Sequence, residues 1–416
     1  MKKRLLLITN GFPFGESERG FMTEEVKVLT QQFDLLVLAP QNQDELLYPT
    51  DGILRIERYR YSSFRKTYEF RALPRILQWS TFREAWSLAK AHNFRKPIGD
   101  LRQTLYHRFN VWEMEEKIAK LVVEEKIDIV YAYWCCEYGE AAAFLKKRFQ
   151  NLKVVIRFHG MDLYKERAHG NWQHFRKEVA CYADGLVFAC EYGRTYFQQQ
   201  WGTKYAEKMQ VCYLGSSDHD ELQMQPTEEL HIISCSNLIP LKQVDRIIEG
   251  LALLPERVRI SWDMFGDGVE RKKLEALAEK KFRNCPHIRW RFHGFVPNMV
   301  LPDAYRNVNP NLFITTSSTE GGAPVSIQEA FSMGVPAIGT AVGGIPDLIV
   351  DGKTGFLLPA QVTPEDVAAA VERYASLNAK ERQQMVAATR HHWAEKFNAK
   401  ENAMQFAAYL QRLASE

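Results

Sequence analysis

The chain has 416 residues, 46% of them hydrophobic, which points to two domains with ordinary cores rather than one. Its formal net charge of +3 is too small for a nucleic-acid binder. Seven cysteines without a CxxC pair or clustered histidine partners argue against a zinc site and read as packing residues in a reducing cytoplasm.

Along the chain, apolar β-prone runs alternate with helical ones, the pattern of parallel sheets covered by helices on both faces. The N-terminal MKKRLLLITNGFPFG starts basic, but its apolar run is confined to Leu5–Ile8 and stops at Gly11 and Pro13. It reads as a first strand and not as a signal peptide. In the first half, strands are predicted near Leu5–Thr9, Leu35–Ala39, Ile127–Tyr133, Val154–Phe158 and Leu186–Ala189. Helices are expected between them, among them Thr23–Gln31, Trp112–Glu125 and Ala141–Phe149. The loop Gly11–Gly20 follows the first strand, and Gly15 would allow close backbone approach there. No segment approaches the length of a membrane span, so any membrane contact is expected to be peripheral.

Residues Arg55 to Arg108 hold thirteen basic and four acidic side chains, a local charge of +9 that leaves −6 for the rest. Aromatic residues interleave with them, Tyr59, Phe64, Trp79, Phe82 and Trp86 among them. Such a surface suits an anionic membrane or a lipid-diphosphate acceptor. A solvated helical face with its aromatics in the core reads equally well, and both stay open here.

Arg157–Tyr164, RFHGMDLY, comes directly after a predicted strand. His159 would sit at the strand's carboxyl end, paired with Asp162, where ligands gather in doubly wound sheets. The polar stretch Asp218–Pro226 reads as a linker. A second series follows, with strands near His231–Cys235, Arg259–Phe265, Ile288–Phe292, Leu312–Thr315 and Pro336–Ile338. Lys242 would project where a helix begins, and an ammonium there can neutralise a departing diphosphate. The final helices, roughly Pro364–Leu377 and Lys380–Lys396, lead to an amphipathic tail carrying Met404, Phe406, Leu410 and Leu413.

The chain is organised around Glu320–Ile349, EGGAPVSIQEAFSMGVPAIGTAVGGIPDLI. Gly321 and Gly322 leave the backbone bare at a turn, and Pro324 sets the approach to a helix from about Val325 to Met333. The free N–H groups at that helix start suit a phosphate or diphosphate. Glu329, one turn in, can accept two hydrogen bonds from neighbouring hydroxyls such as a ribose offers. Gly343 and Gly344 open another helix beside the same place.

In Glu329, Ala330, Gly334, Pro336, Ile338, Thr340, Gly343 and Gly344 this stretch resembles the retaining glycosyltransferases of family 4. The H-G-x-D-x-Y run at His159 resembles the same family. The resemblance implies an α/β chain of GT-B fold, two Rossmann-like doubly wound domains facing a central cleft. The implied domains are 1–217 for the acceptor, 218–395 for the nucleotide-sugar donor, and a helix 396–416 returning to the first domain. It implies catalytic parts for His159, Lys242 and Glu320. Donor binding would fall to Gly15, Asp162, Asn237, Phe295, Val296, Gly321, Gly322, Ala323, Pro324, Val325 and Glu329. The donor would be a UDP- or GDP-sugar, the acceptor a glycan or lipid-linked hydroxyl, with no cofactor, no metal and no nucleic acid. The implied place is cytoplasmic, at the inner face of a membrane.

Two departures stand out. The family spaces its two glutamates eight apart, whereas Glu320 and Glu329 are nine apart, which an extra residue in the Gly321–Gly322 loop would absorb. Asn237 stands where the family has an arginine. They keep two alternatives in view, an impaired GT-B partner subunit and a GT-B sugar-nucleotide epimerase.

Overall fold

The computed structural model describes residues 2–14, 18–40, 45–59, 73–223 and 228–416. The chain divides into two compact units, Met1–Cys212 with Ala403–Glu416, and Tyr213–Asn402. Each is built on one parallel sheet, as the alternation of apolar and helical runs predicts.

Unit 1 holds seven strands: β1 Arg4–Ile8, β2 Asp34–Pro40, β3 Ile53–Tyr59, β4 Ile129–Ala132, β5 Lys153–Phe158, β6 Gly185–Phe188 and β7 Met209–Val211. They lie in the order β3-β2-β1-β4-β5-β6-β7, all parallel. Strands in the middle are near-continuous apolar runs because both faces are covered, and the side chains of Leu5 through Ile8 are fully buried. The chain order reverses between β1 and β4, so the loops after these two strands part and leave a crevice at the sheet's carboxyl edge.

Buried ion pairs tie this unit together, among them Arg108 with Glu115 at 2.6 Å. The Arg157 guanidinium meets Glu25 at 2.5 Å and lies over the Phe406 ring at 4.7 Å, which fastens the last helix, Ala399–Ser415. Arg176 meets Glu140 at 2.7 Å and also donates to the Asp162 carbonyl. Removing one partner of such a pair strands a buried charge and costs about 3–5 kcal/mol.

Unit 2 holds six strands: β8 Glu229–Cys235, β9 Arg259–Phe265, β10 Ile288–Gly294, β11 Leu312–Thr315, β12 Ala337–Thr340 and β13 Gly355–Leu358. Their order is β10-β9-β8-β11-β12-β13, again parallel, with the reversal between β8 and β11.

The sequence reading and the structure differ in places. The helix expected at Trp112–Glu125 runs over Pro97–Glu124, because Pro97 at its first turn starts it fifteen residues earlier. The helix expected at Ala141–Phe149 is Glu137–Leu145, with Glu137 and Glu140 in its first turn. Strands β3, β7 and β13 are absent from the sequence reading. Residues 213–217, assigned to the first domain by the resemblance, pack in unit 2: Ser216 N donates to the Phe397 carbonyl at 2.9 Å, and Trp393 donates to Ser216 Oγ.

Candidate functional site

The loops at the carboxyl edge of the unit 2 sheet converge, and backbone hydrogen bonds hold them together. Leu238 N, after β8, donates to the Asp267 carbonyl after β9 at 2.9 Å, and Gly266 N donates to Gly294, the end of β10. Across the reversal point, Ser318 N donates to the Leu241 carbonyl at 2.9 Å, and Thr316 Oγ1 donates to the Gln243 carbonyl at 2.8 Å. The loop after β11 is thereby pinned to the loop after β8. The loop after β12 closes on the same point without side chains in the way. Gly343 adopts φ +54°, and a Cβ there would lie 2.1 Å from the Glu320 carbonyl oxygen. One on Gly344 would lie 2.4 Å from the Ala323 nitrogen. Only glycine allows this approach.

Inside this enclosure stand the groups singled out from the sequence. The helix Val325–Ser332 begins after Pro324 with no side-chain cap and no acidic residue in its first turn, so its N–H groups point outward uncompensated. Gln328 braces the turn by donating to the Ala323 carbonyl at 2.8 Å. Lys242 ends a short turn, Pro240–Lys242, and its ammonium meets the Glu320 carboxylate at 2.5 Å. Both side chains are half-buried. Glu320 therefore reaches the site despite the nine-residue spacing, and its carboxylate is turned to Lys242.

Glu329 is different. Among the described residues no donor meets its carboxylate, and burial alone pushes its pKa up to about 7. Burial raises the pKa of Cys235, at the end of β8, and of Tyr305, and the nearby Glu329 adds to the rise in both. An ionisable side chain without a partner among the described residues, beside the reversal point of a parallel sheet, marks a candidate ligand site. Gly321, Gly322, Pro324 and Val325 are partly open, and Ala323 is buried under Gly344. Asn237 is exposed on the loop after β8. Phe295, 72% exposed, and the half-buried Val296 follow β10, where His293 stacks flat on Phe265 at 4.4 Å and meets Asp263 at 2.5 Å.

In unit 1, His159 sits at the end of β5. Its Nε2 lies 3.0 Å from the Tyr133 carbonyl, so that nitrogen carries the proton and donates. Burial and the nearby Arg157 charge lower its pKa to about 3, which keeps the imidazole neutral. Asp162 is not presented to a ligand: its carboxylate accepts the backbone N–H groups of Cys135 at 2.8 Å and His159 at 2.9 Å. It positions His159 instead. Gly15 lies outside the described residues.

Sequence reasoning missed the centre of the unit 1 crevice. Glu18 accepts N–H groups from Asn10, Gly11 and Phe12 at 3.1, 2.8 and 2.6 Å, and the Trp134 indole N–H at 2.6 Å. Trp134 in turn lies against His159, with ring centroids 4.2 Å apart. Glu18 stands ten residues after the end of β1, and nothing local marks it as the group that fills a backbone nest.

Residues 218–392 match the family described as glycosyl transferases group 1. Unit 2 is a group 1 glycosyltransferase domain. The whole chain is similar to the amylovoran biosynthesis glycosyltransferase AmsK of Erwinia amylovora, 23% identical over 86% of this chain and 87% of that one. It is also similar to the GtfA subunit of a UDP-N-acetylglucosamine–peptide N-acetylglucosaminyltransferase from Streptococcus parasanguinis, 26% identical over 45% of this chain and 36% of the relative. Against the first curated relatives the chain spans 36%, 66% and 46% of their length. Among solved structures, Anabaena HepE in complex with UDP and glucose superimposes with a TM-score of 0.63 at 17% identity, over 99% of this chain and 100% of that one. The fold is the two-unit Rossmann-like GT-B class, and the group 1 domain is its second unit.

Proposed function

We propose that the chain is a retaining glycosyltransferase whose nucleotide-sugar donor binds in the group 1 domain. The observation that carries this reading is the unsatisfied Glu329 carboxyl on a helix whose N-terminus is uncapped. A ribose presents two hydroxyls to the one, and a diphosphate presents its charge to the other. Lys242 supplies a cation, and Glu320 holds its ammonium in place. In the proposed step the bond from the anomeric carbon to the diphosphate oxygen breaks. The acceptor oxygen bonds to that carbon on the same face, and its proton passes to the departing phosphate oxygen. Lys242 and the N–H groups of Val325–Ser332 stabilise the growing diphosphate charge, and no step is routed through a metal or cofactor. His159, held neutral, is suited to hydrogen bonding and not to proton transfer.

HepE is a complex with UDP, and the GtfA relative is named for a UDP-sugar, which favours UDP over GDP. The relative named for amylovoran biosynthesis supports a glycan acceptor. Among the described residues no helix is long and apolar enough to cross a membrane. Calorimetric titration with UDP, GDP, ADP and CMP tests the reading. Selective binding of UDP, abolished by Glu329→Ala, is expected. A folded protein that binds none of them overturns it.

A further inference from the structure

The helix Trp79–Ala91 is built inside out. Its inward face is made of Thr81, Ala85, Leu88 and Ala89, all small or aliphatic and buried. Its outward face carries Trp79, Phe82 and Trp86 at spacings of three and four, with Trp79 78% and Trp86 66% exposed. Phe94, in the turn that follows, packs its ring edge on Trp86 at 5.1 Å, and Ile98 at the start of the next helix is 84% exposed. Large aromatics on the solvent side of a helix are the reverse of what a soluble surface needs.

The charges around this face are sorted as well. Lys90, Arg95, Lys96 and Arg102 are exposed. The acidic residues of the same segment are turned inward. Glu84 accepts from the Trp172 indole at 2.8 Å and from Phe175 N, while Asp100 is fully buried against His92 at 2.8 Å. The outer surface from Trp79 to Arg102 thus displays aromatics and cations with no exposed carboxylate between them. Tryptophan at headgroup level flanked by lysine and arginine is the pattern of a helix lying in a bilayer interface.

We infer that the helical segment Trp79–Arg102 docks unit 1 on an anionic lipid bilayer, with Trp79, Phe82, Trp86 and Ile98 entering the headgroup boundary and the four cations on its phosphates. The inference rests on the surface itself. It deepens the functional reading by bringing the enzyme to where a lipid-linked acceptor would lie, and a nucleotide-free binding test keeps the two apart.

The test is sedimentation of the full chain with vesicles of phosphatidylcholine alone or with about one-third phosphatidylglycerol, across a salt series. Light scattering without vesicles runs alongside. The wild type is expected to sediment with the anionic vesicles only, less as salt rises. Trp79→Ser with Trp86→Ser should weaken binding tenfold or more. Lys90→Gln with Arg95→Gln, Lys96→Gln and Arg102→Gln should weaken it and flatten the salt dependence. Both variants should keep their unfolding temperature, because these side chains are exposed. Failure of the wild type to sediment at low salt overturns the inference, as does undiminished binding by the tryptophan variant. So does a dimer of the wild type that the tryptophan variant dissolves, which would assign the face to a second copy of the chain.

Discussion

The two sheets share one strand order up to their reversal points, yet they fill the crevice there in opposite ways. In unit 1 the N–H groups of Asn10, Gly11 and Phe12 close on the carboxylate of Glu18, and Trp134 adds a fourth donor. In unit 2 the helix on the other side of the reversal point, after β11, starts with no acidic residue and no cap, and among the described residues no donor meets the glutamate one turn further in. One nest carries its anion within the chain; the other lacks one. Equal topology therefore does not make equal sites. The side chains at the strand ends set the difference, and the proposed diphosphate site in unit 2 rests on it.

Removing the cation from unit 2 should be the hardest blow to this contrast. Lys242→Ala is expected to lower turnover roughly 10²- to 10³-fold, the usual loss for a group that meets charge developing in the transition state. Turnover by radiolabelled sugar transfer would show it, and a loss under about threefold would remove Lys242 from the chemistry.

Gly344→Ala tests the enclosure. The backbone there has φ −87°, so only space is at stake, and the new methyl would press on Ala323 N and the Gly322 carbonyl. The Val325 helix N-terminus must shift, and UDP affinity should fall about tenfold or more, since angstrom-scale misplacement is costly at a site of fixed dipoles. Unchanged affinity would mean that the diphosphate does not depend on this turn.

Glu18→Ala sharpens the comparison from the other side. It leaves four donors without their anion and should cost roughly 1–3 kcal/mol, read as a lower unfolding temperature of unit 1. Sulfate or phosphate should restore part of that stability in the variant and have little effect on the wild type. UDP affinity should not change. Equal protection of both proteins by phosphate would show that Glu18 does not fill the nest.

How much of this the sequence discloses depends on where a residue sits. Interior strands such as β1, β5 and β11 are legible because burial on both faces writes them as apolar runs. The three strands missing from the sequence reading are all sheet edges. β3, ILRIERY, alternates and carries charge; β7 is three residues long; β13 is a short run opened by glycine. An edge needs less apolar surface, so its signal fades into that of a loop. Most of the unit 2 candidate site is readable in advance because Glu320 to Gly344 lie in one stretch, with only Lys242 drawn in from another loop. The unit 1 crevice is not, because Glu18 and Trp134 are 116 residues apart and meet only through the parallel pairing of β1 with β4. Asp162 shows the limit of reading a motif: the residue is where the pattern puts it, but backbone amides take its carboxylate.

The most direct test of the account is the pH dependence of UDP binding, compared with Glu329→Gln. Burial raises the Glu329 carboxyl to about 7, so it is protonated below that and ionised above it. A carboxylate accepts both ribose hydroxyls, whereas the protonated acid gives up an acceptor site. Wild-type affinity should therefore climb between about pH 6 and about pH 8 and level off, while Glu329→Gln binds more weakly and stays flat. In the free protein the sign of the effect is opposite. The folded carboxyl binds its proton more tightly than the unfolded one, so stability falls as pH rises from the ordinary carboxylate range through about 7, by on the order of 3 kcal/mol, and Glu329→Gln should be the more stable of the two at high pH. Wild-type and Glu329→Gln profiles that run parallel, with equal affinity at high pH, would contradict the placing of the donor nucleotide on Glu329.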